Sequence, residues 1–262
     1  LKPINNLVDI TNFVLHETGN PLHAFDLDKI INTNIIVRNA TENEVFETLD
    51  FKKINLVKDD LVICDKDKPL CLAGVIGGAN SGVISTTKNI FLECAFFDEQ
   101  FIRKTSKRHQ ISSDASYRFE RGVDFGNCEY TLKRAALLIQ DICGGNLGQV
   151  VNFYSGKLKR RKIDFSFDYC NRVLGFKIEK NIIQRILISL DFEILDLKED
   201  SCTLIVPTYR CDVYRPIDVV EEILRIYGYD QLPHNRFIKY SPQLDTTFSF
   251  NDFKIQVANL LV

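Results

Sequence analysis

The sequence predicts a chain between α/β and α+β in three segments, because strand-like and helical patterns alternate along most of its length. The first segment covers about residues 1–152 and is expected to hold a mixed sheet. Its runs of strand length lie at Asn34–Arg38, Leu61–Cys64 and Ile90–Ala95. Helical patterns follow at Asp98–His109 and Asn127–Cys143.

The second segment, residues 157–230, opens with a basic link at Lys157–Lys162. Its predicted elements are a helix at Lys177–Leu190, strands at Phe192–Leu195 and Thr203–Val206, and a helix that begins at Pro216 and ends before Gly228. The third segment, residues 231–262, reads as a polar linker followed by an amphipathic helix that stops short. We therefore expect a fragment of a larger protein.

Composition excludes several classes of protein. A chain of 262 residues with 45% hydrophobic and 26% charged residues resembles globular proteins, which argues against wholesale disorder. The net charge of −2 provides no global basic field for nucleic acid, so any such binding needs a local patch. The eight cysteines include no C-x-x-C pair, and we expect buried free thiols in a reducing cytoplasm. No run of 18 apolar residues predicts a membrane span.

Three polar residues stand out in the opening stretch P-I-N-N-L-V-D-I-T-N-F-V-L-H-E-T-G-N-P-L-H-A-F-D. Thr11 and Asn12 are adjacent within an apolar helical pattern, and His23 follows a turn between apolar neighbours. A capped helix with a satisfied core histidine would explain each residue separately. Because three polar groups converge near one turn, the residues alone favour a binding site and a structural role about equally.

Two further stretches have a structural and a functional interpretation. The Gly-rich Ala73–Gly78 lacks both nucleotide-binding patterns, so it is either a tight turn or a close approach of backbone to a small ligand. Glu93 lies in I-F-L-E-C-A-F-F, where residues on both faces of the predicted strand are apolar. Since a buried carboxylate is costly without a partner or a cavity, we expect Glu93 to point inward into a pocket. The basic Arg103–Arg108 is a solvated helix face or a phosphate contact.

Four stretches taken together resemble one family, the bacterial phenylalanyl-tRNA synthetase beta subunit. They are the opening stretch, A-G-V-I-G-G, D-A-S-Y-R-F-E-R-G-V-D and V-V-E-E-I-L-R-I-Y-G-Y-D-Q-L-P, in that order along the whole chain. The resemblance implies a B3/B4 editing domain at residues 1–152, a helix-rich, winged-helix-like B5 domain at 157–230, and the start of a catalytic-like module at 231–262.

The resemblance also implies partners and cofactors. The aminoacylation site of the family lies on a separate alpha subunit of an α2β2 heterotetramer, and tRNA(Phe) is the nucleic-acid partner. ATP and Mg²⁺ are then expected for the whole synthetase, and no cofactor or metal in this fragment. Over Phe165–Gly228 acidic residues outnumber basic ones, so we expect packing or subunit contacts from the B5 unit rather than DNA binding.

In this family the editing site hydrolyses tyrosine wrongly esterified to tRNA(Phe). An apolar synthetic pocket rejects an added hydroxyl only weakly, by roughly 10²-fold, so a second site that requires the hydroxyl is useful. By resemblance, Thr11, Asn12 and His23 hold the polar end of the amino acid and the scissile ester. His23 is the best candidate to orient water or act as a base.

The remaining site residues follow from the same resemblance. Glu93 corresponds to the acceptor for the para-hydroxyl, Gly74 and Ala95 to close-packed pocket walls, and Ala115 to a small residue that keeps the pocket open. The alternative to an editing enzyme is a non-catalytic scaffold and nucleic-acid-binding module, which would not distinguish tyrosine from phenylalanine.

The stretch around Ala115 carries interleaved charges and rings. We expect its charged residues to form an internal ion-pair network that braces the pocket wall, and its rings to pack on the other face of an extended segment. The charged residues are Asp114, Arg118, Glu120 and Arg121, and the rings are Tyr117 and Phe119.

Overall fold

The computed structural model describes residues 3–154, 156, 160–233 and 250–261. Residues 234–249 of the predicted linker and residues 157–159 of the basic link therefore lie outside the described residues. The helices are α1 (Asn6–Thr18), α2 (Glu99–His109), α3 (Asp114–Phe119), α4 (Cys128–Cys143), α5 (Phe167–Leu174), α6 (Lys180–Ser189), α7 (Pro216–Tyr227) and α8 (Phe250–Leu260). No helix of the described residues is long and apolar enough to cross a membrane.

The strands form small antiparallel sheets. They are β1 (Leu22–Asp26), β2 (Ile36–Asn39), β3 (Val45–Glu47), β4 (Lys53–Asn55), β5 (Leu61–Cys64), β6 (Pro69–Leu72), β7 (Ile76–Gly77), β8 (Ile90–Cys94), β9 (Lys162–Ser166), β10 (Glu193–Leu195) and β11 (Ser201–Ile205). Their orders are β2-β5-β6-β7, β3-β4, β1-β8 and β10-β11-β9. Because each registered pair of strands is antiparallel, the fold is α+β.

The first half of the chain folds around two adjoining apolar clusters. The larger one is centred on fully buried Phe25, Phe46, Leu56 and Leu72, which come from β1, β3, β6 and the turn after β4. The smaller one joins α1 to α4 and the outer face of the β1–β8 pair. Its buried members are Ile10, Val14, Ala135 and Ile139. The β1–β8 pair is therefore covered by apolar residues on both faces.

The second half has its own core. The sheet of β9, β10 and β11 packs against α5, α6 and α7 around fully buried Phe165, Ile183, Leu187 and Ile223. An antiparallel sheet of this size with helices on one side is consistent with the predicted small winged-helix-like α+β unit. The two halves touch where the Cys211 thiol lies 3.9 Å from the Val123 carbonyl oxygen.

Several predicted elements are confirmed. The strand at Leu61–Cys64 has the predicted bounds, and α2 begins one residue after its N-cap Asp98. Helix α7 begins at Pro216 and ends before Gly228, as predicted. The sequence interpretation missed α5, a helix of 8 residues that begins after N-cap Ser166 and ends at left-handed Gly175.

The predicted extended segment around Ala115 is wrong, because Asp114–Phe119 forms helix α3 with a capping box from Ser113 and Ser116. The predicted ion-pair network is wrong too. Arg118 donates to the Asp114 backbone carbonyl and approaches His16 Nδ1 at 3.3 Å. The ion pair present in this stretch joins the sequence neighbours Glu120 and Arg121.

The two rings of this stretch also separate on the helix. Phe119 is 3% exposed and packs edge-on against Phe97, whereas Tyr117 is 54% exposed. The Arg121 guanidinium lies 3.6 Å from the centre of the Tyr117 ring, which is a cation–π contact. The helical period turns the two rings to different sides, so they do not share one face as an extended segment would require.

The cysteines and the basic run have mixed outcomes. All eight cysteines are free thiols, and Cys64, Cys71, Cys170 and Cys202 are buried, but Cys143 is exposed.

In the basic run, Arg103, Lys104 and Lys107 lie on the exposed face of α2. Arg108, whose side chain is 31% exposed, instead forms an ion pair with fully buried Asp60. The solvated-face interpretation therefore applies to only part of the run.

Candidate active site

The candidate site is built on the pairing of β1 with β8. In this antiparallel ladder His23 lies directly opposite Glu93, and Phe25 lies opposite Phe91. Side chains of residues that oppose each other point to the same face of a sheet, with Cβ atoms about 4.5–5.5 Å apart. A histidine and a glutamate that are 70 positions apart in the sequence numbering, 93 − 23, thus become neighbours.

Glu93 points into the protein, as the sequence predicts. Phe91 and Ala95, which share its face, pack against the larger core, while Leu92 on the other face packs against the α1–α4 cluster. Burial raises the pKa of Glu93 to about 8. No hydrogen bond from the described residues reaches its carboxyl oxygens, so the carboxyl group is available to a ligand.

His23 is also unpartnered. Its Nε2 atom is buried without a hydrogen-bond partner among the described residues, and burial lowers the pKa of the ring to about 4. The imidazole is therefore neutral at pH 7. It packs edge-on against Phe25, with ring centres 4.4 Å apart. An unsatisfied buried nitrogen costs about 1–3 kcal/mol, which a bound water or substrate would recover.

Gly77 holds the His23 ring in place, and the sequence interpretation did not single it out. A Cβ atom on Gly77 would lie 2.7 Å from Cε1 and 3.1 Å from Nε2 of His23, so only glycine fits beneath the ring. The Gly-rich composition of Ala73–Gly78 was the available signal. The close approach of its backbone is to a histidine of the protein, which is a finding that the sequence did not specify.

The proposed pocket walls meet at the edge of the larger core. Ala95 and Ala115 are partly buried against it. Gly74 has φ +66°, and a Cβ there would lie about 3 Å from Ile102, Phe97 and Phe119 side chains, 2.9, 3.0 and 3.1 Å respectively. The Ser113 hydroxyl donates to the Val75 carbonyl at 2.6 Å and so ties α3 to the Gly-rich turn.

Thr11 and Asn12 lie on α1, which packs against β1 and α4. The Thr11 side chain is 6% exposed, and its hydroxyl donates to the Val8 carbonyl of the same helix at 2.8 Å. Among the described residues no hydrogen bond links Thr11 or Asn12 to His23 or Glu93. The structure thus brings His23, Glu93, Ala95 and the Gly-rich turn together, and it leaves Thr11 and Asn12 on a neighbouring helix.

A cavity of about 2080 Å³ runs along β8 and α4, and Glu93 and Ala95 are among its lining residues. Ligand sites for small molecules are usually about 300–1,000 Å³, so this cavity is an open groove rather than a fitted amino-acid pocket. His23 is not part of its lining. The candidate site is therefore the His23–Glu93 end of the strand pair. No cluster of the described residues has three or more side chains suited to hold a metal ion.

Comparisons with known proteins place these features in a family. The chain belongs to the B3/4 domain family, whose model matches residues 1–144, and a tRNA synthetase B5 domain model matches residues 163–229. Among its relatives is the phenylalanine–tRNA ligase beta subunit of Porphyromonas gingivalis, 47% identical over 242 residues, which are 92% of this chain and 30% of that protein. The protein of the same name from Protochlamydia amoebophila is 45% identical over 236 residues, 90% of this chain and 30% of its own length.

The chain spans about 30% of the length of these curated relatives. A solved N-terminal fragment of the phenylalanyl-tRNA synthetase beta subunit from Pyrococcus horikoshii aligns with 85% of this chain and 65% of its own, at 17% identity and a TM-score of 0.43. That similarity is too low to support an argument about the fold or the site. The B3/4 domain model, which matches residues 1–144 and so more than half of the chain, carries the family assignment.

Proposed function

We propose that this chain is the editing part of a phenylalanine–tRNA ligase beta subunit, and that its site hydrolyses tyrosine wrongly esterified to tRNA(Phe). The observation that carries the proposal is the half-buried His23–Glu93 pair, opposed across one strand ladder, in which neither His23 Nε2 nor the Glu93 carboxyl group has a hydrogen-bond partner among the described residues. Buried titratable groups with shifted pKa values concentrate at functional sites. The shared name of the relatives supplies the substrate class.

Glu93 is the proposed reader of the tyrosine hydroxyl. With a pKa of about 8, the group is mainly a carboxylic acid at neutral pH and can both accept and donate one hydrogen bond. Tyrosine satisfies this buried group, whereas phenylalanine leaves it unpaired at a cost of about 1–3 kcal/mol. That difference corresponds to roughly 5- to 150-fold discrimination.

His23 is the proposed group that orients water or the ester, and the ladder restricts how it does so. The hydroxyl and the ester lie at opposite ends of tyrosine, farther apart than two opposed Cβ atoms. The His23 and Glu93 side chains must therefore diverge to serve both ends. Neutral His23 accepts a proton poorly, because its pKa is about 4. Orientation of water through Nε2 fits this better than general-base catalysis.

The remaining roles are proposed from the same resemblance. Gly74, Ala95 and Ala115 form the pocket wall, and Thr11 and Asn12 hold the polar end of the substrate. Residues 1–152 form the editing domain, 157–230 the B5 domain, and 231–262 the start of a catalytic-like module. In the whole cytoplasmic ligase, an alpha subunit, tRNA(Phe), ATP and Mg²⁺ complete an α2β2 enzyme.

The first test is calorimetric titration of the full-length protein with L-tyrosine and L-phenylalanine. We expect tighter binding of tyrosine, and loss of that preference in Glu93→Ala. Glu193→Gln is the matched control, because Glu193 is an exposed carboxylate in the second half of the chain and pairs with Arg160. Equal affinities for the two amino acids in the unchanged protein would contradict a hydroxyl reader.

The second test measures hydrolysis of Tyr-tRNA(Phe) and Phe-tRNA(Phe) by the assembled ligase. If His23 orients water, His23→Ala lowers the hydrolysis rate and leaves the affinity for free tyrosine nearly unchanged. A loss of tyrosine affinity in His23→Ala would instead assign His23 to the hydroxyl end beside Glu93. A ligase that hydrolyses neither ester would support the alternative scaffold function.

A further inference from the structure

Asn20 is a buried polar residue to which the proposed reaction gives no role. It lies in the turn between α1 and β1, after Gly19, which ends α1 with a left-handed φ of +82°, and before Pro21. Only 1% of Asn20 is exposed. His23 is the second residue of β1. The turn that contains Asn20 therefore sets where the strand that carries His23 begins.

The side-chain amide of Asn20 fastens this turn to a distant part of the chain. Its nitrogen donates to the Asp124 carbonyl at 2.7 Å and to the Cys128 sulfur at 3.4 Å. An asparagine amide has two N–H donors, so both are used and the side chain has a fixed orientation. Among the described residues, no other hydrogen bond joins residues 19–21 to an element outside α1. The two bonds of Asn20 are thus the tether of this turn.

His23 depends on this tether because it lies near the end of the strand ladder. The pairing of β1 with β8 begins at Leu22 opposite Cys94, so only one pair precedes His23 and Glu93. Segments near the end of an element open more readily than its centre. The ring also lies against Gly77, so a shift of the strand end would change where Nε2 points.

The loop that binds Asn20 also contacts the second half of the chain. We call residues 122–127, which precede α4, the 122–127 loop. The Cys211 thiol lies 3.9 Å from the carbonyl oxygen of Val123 in this loop. A Cβ atom on Gly126 would lie 2.5 Å from the hydroxyl oxygen of Thr208, so only glycine fits there without moving the second half. One loop therefore joins Asn20 to both halves of the molecule.

We propose that Asn20 is a positioning residue of the candidate site. It holds the turn before β1, and with it the His23 ring, against the 122–127 loop, and the second half of the chain keeps that loop in place. The expected effect on ester hydrolysis rests on the proposed function, whereas the expected effect on the ring does not. The two effects are therefore measured separately.

The first experiment measures the reactivity of the ring and needs no substrate. Diethyl pyrocarbonate acylates neutral imidazole nitrogens, and mass spectrometry gives the rate at each histidine of the full-length protein. His23 should react more slowly than exposed His16, because its Nε2 atom is buried. Asn20→Ala should raise the rate at His23 several-fold and leave His16 unchanged. Asn171→Ala is the matched control, because Asn171 also holds a backbone turn, by accepting from the Ile178 N–H in the second half.

Gly126→Val tests the contribution of the second half in the same assay. The added side chain would enter the space of the Thr208 hydroxyl, and the backbone of Gly126 is outside the left-handed region, so the substitution adds no backbone strain. We expect faster acylation of His23. Gly148→Val is the matched control, because a Cβ atom there meets no atom within 4 Å, and it should leave the rate unchanged.

The second experiment follows hydrolysis of Tyr-tRNA(Phe) by the assembled ligase. Asn20→Ala should lower the maximal rate by roughly 10- to 100-fold and leave the affinity for free tyrosine nearly unchanged. Asn20→Gln keeps an amide donor and should recover much of the rate, whereas Asn20→Asp keeps the shape without the donor and should not. Because Asn20 acts through His23, adding Asn20→Ala to His23→Ala should cause no further loss.

Three results would overturn the proposal. An unchanged acylation rate at His23 in Asn20→Ala would show that the tether does not hold the ring. An unchanged rate in Gly126→Val would remove the second half from the arrangement. A further loss of hydrolysis in the double variant would mean that Asn20 acts independently of His23. A ligase that hydrolyses neither ester would contradict only the proposed function, and the acylation rates would still decide the role of Asn20.

Discussion

Two pairs of a carboxyl group and a histidine in the same half of the chain have opposite environments. Asp60 is fully buried, and its carboxylate accepts hydrogen bonds from the Val57 backbone and Thr105 and pairs with Arg108 and His109. Glu93 faces His23 across a strand ladder without a hydrogen bond from any described residue. Asp60 is fully buried and has its charge compensated, whereas Glu93 is half-buried and has no such partner among the described residues.

The pKa values follow from this contrast. Burial acts to raise the pKa of Asp60, but hydrogen bonds from Val57, His109 and Thr105 outweigh it and lower the pKa. Burial acts alone on Glu93 and raises its pKa to about 8. The comparison teaches that burial by itself does not mark a functional carboxylate. What sets Glu93 apart from Asp60 is that its carboxyl group has no hydrogen-bond partner among the described residues.

Asp60→Asn should have the largest effect on stability. It removes the counter-charge of Arg108, whose side chain is 31% exposed, and weakens the buried hydrogen bonds with Thr105 and His109, so we expect a loss of about 2–4 kcal/mol. Denaturant unfolding measures the loss. The matched control is Asp59→Asn, since the Asp59 side chain is 75% exposed and lies 3.8 Å from Arg108; it should cost less than about 0.5 kcal/mol. Equal losses in both variants would remove the distinction between the two carboxylates.

Gly77→Ala tests whether the position of the His23 ring matters for stability and for ester hydrolysis. The added Cβ would collide with the His23 ring, so we expect a loss of about 1–3 kcal/mol in stability. Displacement of the ring should also lower ester hydrolysis by up to roughly 100-fold. Gly148→Ala, where an added Cβ meets no atom within 4 Å, should change neither. Unchanged hydrolysis in Gly77→Ala would show that the position of the ring is unimportant.

Glu93→Gln should change how stability depends on pH. Since the folded-state pKa of about 8 exceeds the usual value of 4.5, the folded protein holds this proton more tightly, and stability falls as pH rises between those values. His23 has the opposite effect, because its pKa is lowered from 6.5 to about 4 in the folded protein. Its contribution makes the protein more stable as pH rises from about 4 to 6.5, and it adds no further change above pH 6.5.

Between pH 6.5 and 8, only Glu93 of these two residues changes its protonation. The free energy of unfolding of the unchanged protein should therefore decline by about 1–2 kcal/mol over this range, and that of Glu93→Gln should not. Thermal unfolding across this range measures it, with Glu193→Gln as the control that keeps the decline. A variant whose stability still falls in parallel with the unchanged protein would indicate that Glu93 already has an ordinary pKa.

Arg118→Ala should have the smallest effect. The ion-pair network expected from the sequence would make Arg118 important for both stability and activity, but the Arg118 side chain makes hydrogen bonds only with the Asp114 carbonyl and His16 among the described residues. We expect less than about 0.5 kcal/mol. A large fall in the melting temperature of Arg118→Ala would instead support the predicted role of Arg118 in bracing the pocket wall.

Local patterns were sufficient for many of the elements, such as β5, α2 and α7, and for one residue of the candidate site. Apolar residues on both faces of the strand around Glu93 predicted its inward direction, and the start signals at Asp98 and Pro216 marked α2 and α7. The Asp60 cluster was missed because it joins residues 45 to 49 positions apart, which no local pattern encodes. Helix α3 was missed because charges interleaved with rings resemble a strand, whereas its capping box decides the outcome.

The protonation state of Glu93 has a consequence for ligand design. Because its pKa is about 8, the group presents an O–H donor at neutral pH as well as an acceptor. A phenylalanine analogue with an acceptor at the para position, such as a nitrile, should then compete with tyrosine near pH 7. It should lose affinity above pH 8, where the donor ionises and tyrosine can still donate its own hydroxyl proton. The site would thus favour analogues with a para acceptor near pH 7 and analogues with a para donor above pH 8.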